Sequence, residues 1–160
     1  MPSPDTCPCG SGLVYRACCA PFHRGSSEAP DAESLMRSRY AAYVKKEIPY
    51  LIKTLHPSHE DRALPEAELL GLLAEAAREQ RYMGLAILDR RAPDEGGIAE
   101  VLFHARVFQR GKDFSFVERS EFAHDGTGWR YLRGDTLAVK KIAGDPQALT
   151  LATFPKSLSR

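Results

Sequence analysis

Cys7, Cys9, Cys18 and Cys19 fall in one short stretch, and no other cysteine occurs in the 160 residues. Thiolate sulfur is a strong ligand for zinc, and four sulfurs at about 2.3 Å complete a tetrahedral site. A disulfide framework would spread its cysteines to staple distant segments, so clustering of this kind points to a metal in a reducing compartment. Gly10-Ser11-Gly12 lies between the two cysteine pairs. It supplies a sharp turn and leaves backbone N–H groups free to face the sulfurs. Tyr15 is placed to pack over the site, and Arg16, His23 and Arg24 to offset the negative charge of a four-thiolate zinc centre. His23 is an alternative to Cys19 as fourth ligand, and iron or another soft metal suits the same donors. Four protein ligands leave no open coordination position, which favours a structural over a catalytic metal. No recognition helix fits between the ligand pairs, so the spacing is not that of a DNA-reading zinc finger.

The elements that must hold these residues follow from composition and period. Residues 1–28 are rich in Pro, Gly, Ser and Cys. Such a segment cannot bury a core alone and needs a metal or a neighbour to order it. Residues 29–135 form the main domain. Asp31 is the expected N-cap of a first helix, with Ser34 as a second candidate. Leu35, Met36, Tyr40, Tyr43 and Val44 then recur at helical spacing. Pro49 suits the first turn of a second helix that stops before Pro57, and Pro65 opens a third with Leu69, Leu70, Leu72 and Leu73. From Met83 the period changes to that of strands: Met83–Asp89, Glu100–Gln109, Phe114–Phe122 and a last strand holding Trp129, Tyr131 and Leu132. Phe114, Phe116 and Phe122 are expected on one face. Helices followed by antiparallel strands joined by short turns imply an α+β domain. Residues 136–160 read as a tail, irregular or in a short helix.

Composition excludes some functions. With 22 basic and 21 acidic side chains the formal net charge is +1, which gives no global argument for nucleic acid or an anionic membrane. No apolar run approaches the roughly 20 residues of a spanning helix. The N-terminus lacks the basic start and apolar stretch of a secretory leader, so the expected location is the cytoplasm.

The run Cys7-Pro8-Cys9-Gly10-Ser11-Gly12 with Cys18-Cys19 resembles the SEC-C motif. A second signature extends the likeness: Leu35-Met36-Arg37-Ser38-Arg39-Tyr40-Ala41-Ala42-Tyr43-Val44, then Tyr50 to Pro57, Glu118 to Phe122, and Gly128-Trp129-Arg130-Tyr131. Together these resemble the YchJ family, an SEC-C motif followed by an NTF2-like domain. The resemblance implies a cone: a strongly curved sheet that encloses a cavity, with helices against its open side. It implies zinc at the motif. It also implies a docking role, since the SEC-C motif of the SecA translocation ATPase holds zinc and docks the SecB chaperone. SecB or the nascent-chain machinery is thus the expected partner, and the sequence leaves homodimerisation open. Many relatives carry a second SEC-C motif at the C-terminus; residues 141–148 here hold no cysteine, which argues against a second metal site.

NTF2-like cones also house enzymes that use Asp, His or Tyr in an apolar cavity. The pocket candidates here are His104, Arg106 and Glu118, with His56, Tyr40 and Trp129 as further polar or aromatic groups. His56 reads as a helix-end residue interacting with the last carbonyls. His104 and Arg106 share a strand face, and Glu118 could pair with Arg106 across strands. Arg37 and Arg39 are two apart on a helix and cannot share a face. One is expected inside, paired with a carboxylate such as Glu118 or Asp135, or serving as an anion anchor at the cone mouth. No catalytic residue is assigned, and the sequence favours a scaffold role over an enzyme, with a small-molecule pocket in the cone as the alternative.

Overall fold

The computed structural model describes residues 5–155. Expectations for the outermost residues, 1–4 and 156–160, lie outside the described residues. After the cysteine stretch comes a short helix α1 (Ala20–Arg24), then α2 (Ala32–Lys45), α3 (Ile48–Lys53) and α4 (Glu66–Glu79). Asp31 caps α2 by accepting the Ser34 N–H at 2.8 Å. The helix ends where Lys46 turns left-handed at φ 61°. Pro49 sits in the first turn of α3. Pro65 precedes α4, which has Glu66 and Glu68 in its first turn and Arg78 in its last, each on the favourable end of the helix dipole.

Five strands follow: β1 (Arg81–Arg91), β2 (Ala99–Gln109), β3 (Lys112–Asp113), β4 (Phe116–His124) and β5 (Trp129–Ala138). They form one antiparallel sheet in the order β1-β2-β4-β5, with β3 paired to the end of β2. Arg110 and Gly111, both at positive φ, make the two-residue turn between β2 and β3. Register shifts in β1 near Tyr82–Gly84 and Ile87–Asp89, and in β4–β5 near Glu121–Phe122, act as bulges that bend the sheet.

The alternation along β2 divides the interior. Val101, Phe103, Ala105 and Val107 face the helices and pack with Phe122, Leu35, Met36, Tyr40 and Leu51. The arrangement is the expected α+β cone, with α2 laid against β1, β2 and β5. Leu102 and its diagonal neighbour Val117 face the other way, onto Phe154, Leu149, Leu151 and Ile142.

That second layer comes from the stretch expected as a tail, irregular or in a short helix, which holds two short 3₁₀ turns at Val139–Lys141 and Pro146–Ala148. β5 runs on to Ala138, and residues 139–155 cover the convex face of the sheet. The apolar residues that do this are spaced at no regular period, because each reaches the sheet from a turn. Phe114 also departs from expectation: the chain breaks step at Ser115, whose side chain bonds the Val107 N–H, and Phe114 is left exposed and out of line with Phe116 and Phe122.

His104 lies beneath this cover, 9% exposed, and its Nδ1 accepts from Gln147 Nε2 at 2.8 Å. Burial, with Arg106 nearby, holds its pKa below the usual imidazole value. A depressed histidine contributes stability that is complete above about pH 6.5 and lost as pH falls through the lowered value. Acidification from pH 7.5 to 5 should therefore lower the amide protection factors of residues 142–155, taken relative to the intrinsic exchange rate at each pH, and His104→Gln should flatten that dependence. Phe154→Ala, which opens a void between Leu102 and Val117, should lower unfolding free energy by about 3 kcal/mol in urea titration.

Candidate metal centre

The cysteine stretch folds as a tight loop pinned at both ends. Thr6 and Val14 form an antiparallel bridge, the Cys7 N–H donates to Leu13 O at 2.8 Å, and the Tyr15 N–H donates to Asp5 O at 2.8 Å. Gly10 and Gly12, at φ 85° and 84°, make the reversal between them. A Cβ on Gly10 would lie 3.2 Å from Leu85 O, so this glycine also allows the loop to approach β1. A 3₁₀ turn (Tyr15–Ala17) then delivers Cys18, and Cys19 stands at the N-cap of α1.

The four sulfurs converge. All lie within 4.8 Å of one another, with Cys9–Cys18 at 3.6 Å and Cys18–Cys19 at 3.9 Å. A tetrahedron of sulfurs at about 2.3 Å from zinc has edges of about 3.8 Å, so the donor set and its spacing suit such an ion. None is disulfide-bonded; Cys7, Cys9 and Cys19 are buried and Cys18 is half-buried. Hydrogen bonds from Cys19 and Cys7 hold Cys9 far below the thiol range. Donation to Cys7 and Cys9, reinforced by burial, drives Cys19 far above it. Cys7 is pushed up to about 11, because donation to Cys9 and burial outweigh the lowering bond from Cys19. The cluster thus stores protons that a bound cation would expel. The backbone N–H groups of Cys9 and Ser11 favour the thiolates of Cys7 and Cys9, as the glycine turn suggested. Ser11 Oγ lies 3.2 Å from Cys18 Sγ.

The loop is seated on α2. Arg37 Nη1 donates to Cys9 O at 2.7 Å, while its Nε pairs with Glu33 at 3.1 Å. Ala41, fully buried, packs against Cys7, Cys9 and Cys19. His23 Nε2 meets Ser38 O at 2.8 Å and its Nδ1 meets the Tyr15 hydroxyl at 2.6 Å. Since a carbonyl only accepts, Nε2 carries the proton and Nδ1 accepts from Tyr15. Burial lowers the His23 pKa. His23 therefore has no nitrogen to spare as a ligand, and the neutral ring offsets no charge. It serves instead as the strut between loop and helix. Lys45, whose Nζ lies 4.5 Å from the Tyr15 ring centroid, brings positive charge to the same side. Sequence reasoning missed Arg37 and Lys45 as supports of this site; their helical spacing with Ala41 was the available signal.

The pocket candidates do not come together. Phe103 pairs with Glu118 and His104 with Val117, which puts Glu118 on the concave face and His104 on the convex one. Arg106 is exposed on that same convex side. The expected Glu118–Arg106 pair is thus absent: Glu118 accepts from the hydroxyls of Ser120, Tyr131 and Thr136, at 2.8 Å for Tyr131 and 3.1 Å for Thr136. Arg39 is the inward arginine, but it pairs with neither Glu118 nor Asp135. Its Nη1 donates to Leu51 O at 2.8 Å and Thr54 Oγ1 at 2.6 Å, and Asp135 binds Arg119 instead. Tyr40 lines the cone cavity, whereas Trp129 stands outside it against His124. His56 lies past the end of α3, and its Nδ1 accepts the Ser58 N–H rather than meeting the helix carbonyls. Among the described residues no helix is long and apolar enough to cross a membrane.

Comparison with known proteins agrees with this anatomy. Residues 31–134 match the family model described as YchJ, middle NTF2-like domain, and residues 4–21 match the SEC-C motif. The chain is 41% identical over 128 residues to the UPF0225 protein YchJ of Shigella dysenteriae, covering 80% of this chain and 81% of that one. A SEC-C motif containing protein from Rhodopseudomonas palustris superposes with a TM-score of 0.70 at 32% identity, over 82% of this chain and 98% of its own. Another from Psychrobacter arcticus gives 0.69 at 26% identity, over 82% of each. With a cysteine loop on an NTF2-like cone and a family model matched across most of its length, the chain belongs to the YchJ family.

Proposed function

We propose that this protein is a zinc-binding docking protein in which Cys7, Cys9, Cys18 and Cys19 hold one zinc ion and the metal-ordered loop presents a recognition surface to a protein partner. The observation that carries the reading is the convergence of four unpaired sulfurs at tetrahedral spacing. The ion would be structural, filled by four protein ligands, and its binding energy would stabilise a loop that has little core of its own. A thiolate site of this kind would work in the cytoplasm, where thiols stay reduced.

The presented surface has a definite chemistry. Leu13 and Val14 are 57% and 40% exposed, although both are large and apolar. They follow the glycine turn directly, and Val14 borders a surface depression with Tyr15, Arg16 and Lys45. An apolar pair with a basic rim, held by a metal, is suited to docking on a chaperone or nascent-chain factor. SecB is the partner that the SEC-C motif suggests.

Mass spectrometry of untagged protein should find about one zinc per chain, lost in Cys18→Ser and Cys19→Ser and retained in His23→Gln; iron in place of zinc would overturn the assignment. Because the ligands must shed protons, affinity should fall as pH falls. Arg37→Ala, which frees the Cys9 carbonyl, should weaken zinc retention about 10- to 100-fold in chelator competition. Zinc-loaded protein should bind SecB by calorimetry, and both chelation and Leu13→Asp should abolish the signal. SecB binding that survives zinc removal would count against the docking role.

A further inference from the structure

Apart from the cysteine cluster, the cone encloses a cavity of about 270 Å³ between α2, α4 and the concave face of the sheet. Its walls are aromatic, with Tyr82, Phe103 and Phe116 on the sheet side and Tyr40 and Tyr43 on α2. One basic group, Arg39, and one acidic group, Glu118, face it. At a liquid share of about 30 Å³ per water, the space equals roughly nine waters, enough for a ligand of about ten non-hydrogen atoms.

Arg39 is the unusual group. It is only 6% exposed, and both of its hydrogen bonds leave from Nη1 toward uncharged acceptors, Leu51 O and Thr54 Oγ1. Nε and Nη2, which form the other edge of the guanidinium, have no hydrogen-bond partner among the described residues. Among the described residues the one fully enclosed side-chain nitrogen without a partner is Arg119 Nε, so the open edge of Arg39 still meets the cavity. A buried guanidinium with no carboxylate beside it is costly, and its paired N–H groups match a planar carboxylate in bidentate fashion. Tyr131 keeps Glu118 from filling that role. Its ring face meets the Arg39 guanidinium, 4.8 Å from the centroid, while its hydroxyl donates to Glu118. The hydroxyl of Tyr43, also on the cavity wall, makes no hydrogen bond among the described residues and lies close enough to feel the charges of both Arg39 and Glu118.

We propose that the cone cavity binds a small monocarboxylate with an aromatic or apolar body, its carboxylate held by the Nε–Nη2 edge of Arg39 and the Tyr43 hydroxyl. Phe103, Phe116 and Tyr82 flank the body of the ligand. Glu118, already satisfied by three hydroxyls, stays in place and disfavours a second negative charge. With a single basic group in the wall, a singly charged carboxylate fits better than a phosphate dianion.

The test is a titration of the full ¹⁵N-labelled chain with benzoate, 4-hydroxybenzoate and benzamide, followed by amide shifts. Benzoate and 4-hydroxybenzoate should move the resonances of Tyr43, Tyr82 and Phe103, and benzamide, their neutral counterpart, should bind at least tenfold more weakly. Tyr43→Phe keeps the ring and should weaken benzoate binding roughly two- to tenfold, the loss of one hydrogen bond. Arg39→Lys should weaken it more than tenfold with amide dispersion retained. If Arg39→Lys does not fold, the benzamide comparison and Tyr43→Phe still decide the matter. No movement at the cavity with millimolar benzoate or 4-hydroxybenzoate, or equal binding of benzoate and benzamide, would overturn the proposal.

Discussion

Helix α2 must serve two partners at once, and the rest of the molecule depends on that constraint. Arg37, Ser38, Ala41 and Lys45 fall on one side and meet the cysteine loop. Met36, Arg39, Tyr40 and Tyr43 fall on the other and close the cone. Spacings of three and four residues put each set on its own face. Ala41 and Ala42, both at zero exposure, let the neighbours on each side approach closely. A helix with apolar residues on one stripe alone could not do both tasks. The polar groups of the cysteine face are therefore spent on named partners: Arg37 donates to Cys9 O, and Ser38 O accepts from His23 Nε2.

The same economy runs through the other joints of the fold. Arg130, 3% exposed, ties β5 to the linker before α2 through Glu28 and to its own turn through Asp125. Gly128 has no room for a Cβ beside Glu28 and Arg130, so the close crossing needs glycine there. Gly134 does the same for Glu118 and Tyr131, letting the carboxylate lie flat on β5 beneath its three hydroxyl donors. These contacts join segments far apart in the chain, and each removes charge or polarity from water only where a partner is waiting. Arg39 is the exception, since its partners are a carbonyl and a hydroxyl. That is why its open edge carries functional meaning and the paired arginines do not.

The α+β class, the starts of α2, α3 and α4 and the strand run were legible in the sequence. Asp31 has a side chain that caps, Pro49 and Pro65 forbid what precedes them, and the alternation in β2 has a period of two that only a strand satisfies. The four cysteines were legible for a different reason: their chemistry has few uses, and their separation is so short that local chain geometry brings them together. Other features were not legible. The cover made by Ile142, Leu149, Leu151 and Phe154 has no period, because turns rather than a regular element present those side chains. Phe114 obeys the strand pattern but falls at a break.

What the sequence determined by itself is therefore local: elements, caps, turns and a metal-suited loop, all set by neighbours within a few residues. Which polar residues share a site was decided by the tertiary structure alone. His104, Arg106 and Glu118 look like one group in the strand pattern, yet the register of β2 on β4 places Glu118 inside the cone and the other two outside. Arg39 and Tyr131 come from distant elements and meet only because β5 curves back onto α2 and bridges to Thr54 and Leu55 just after α3. Side-chain parity along one strand is a property of that strand. The face it is given, and the residues opposite, depend on how the sheet pairs and bends, which no single segment encodes.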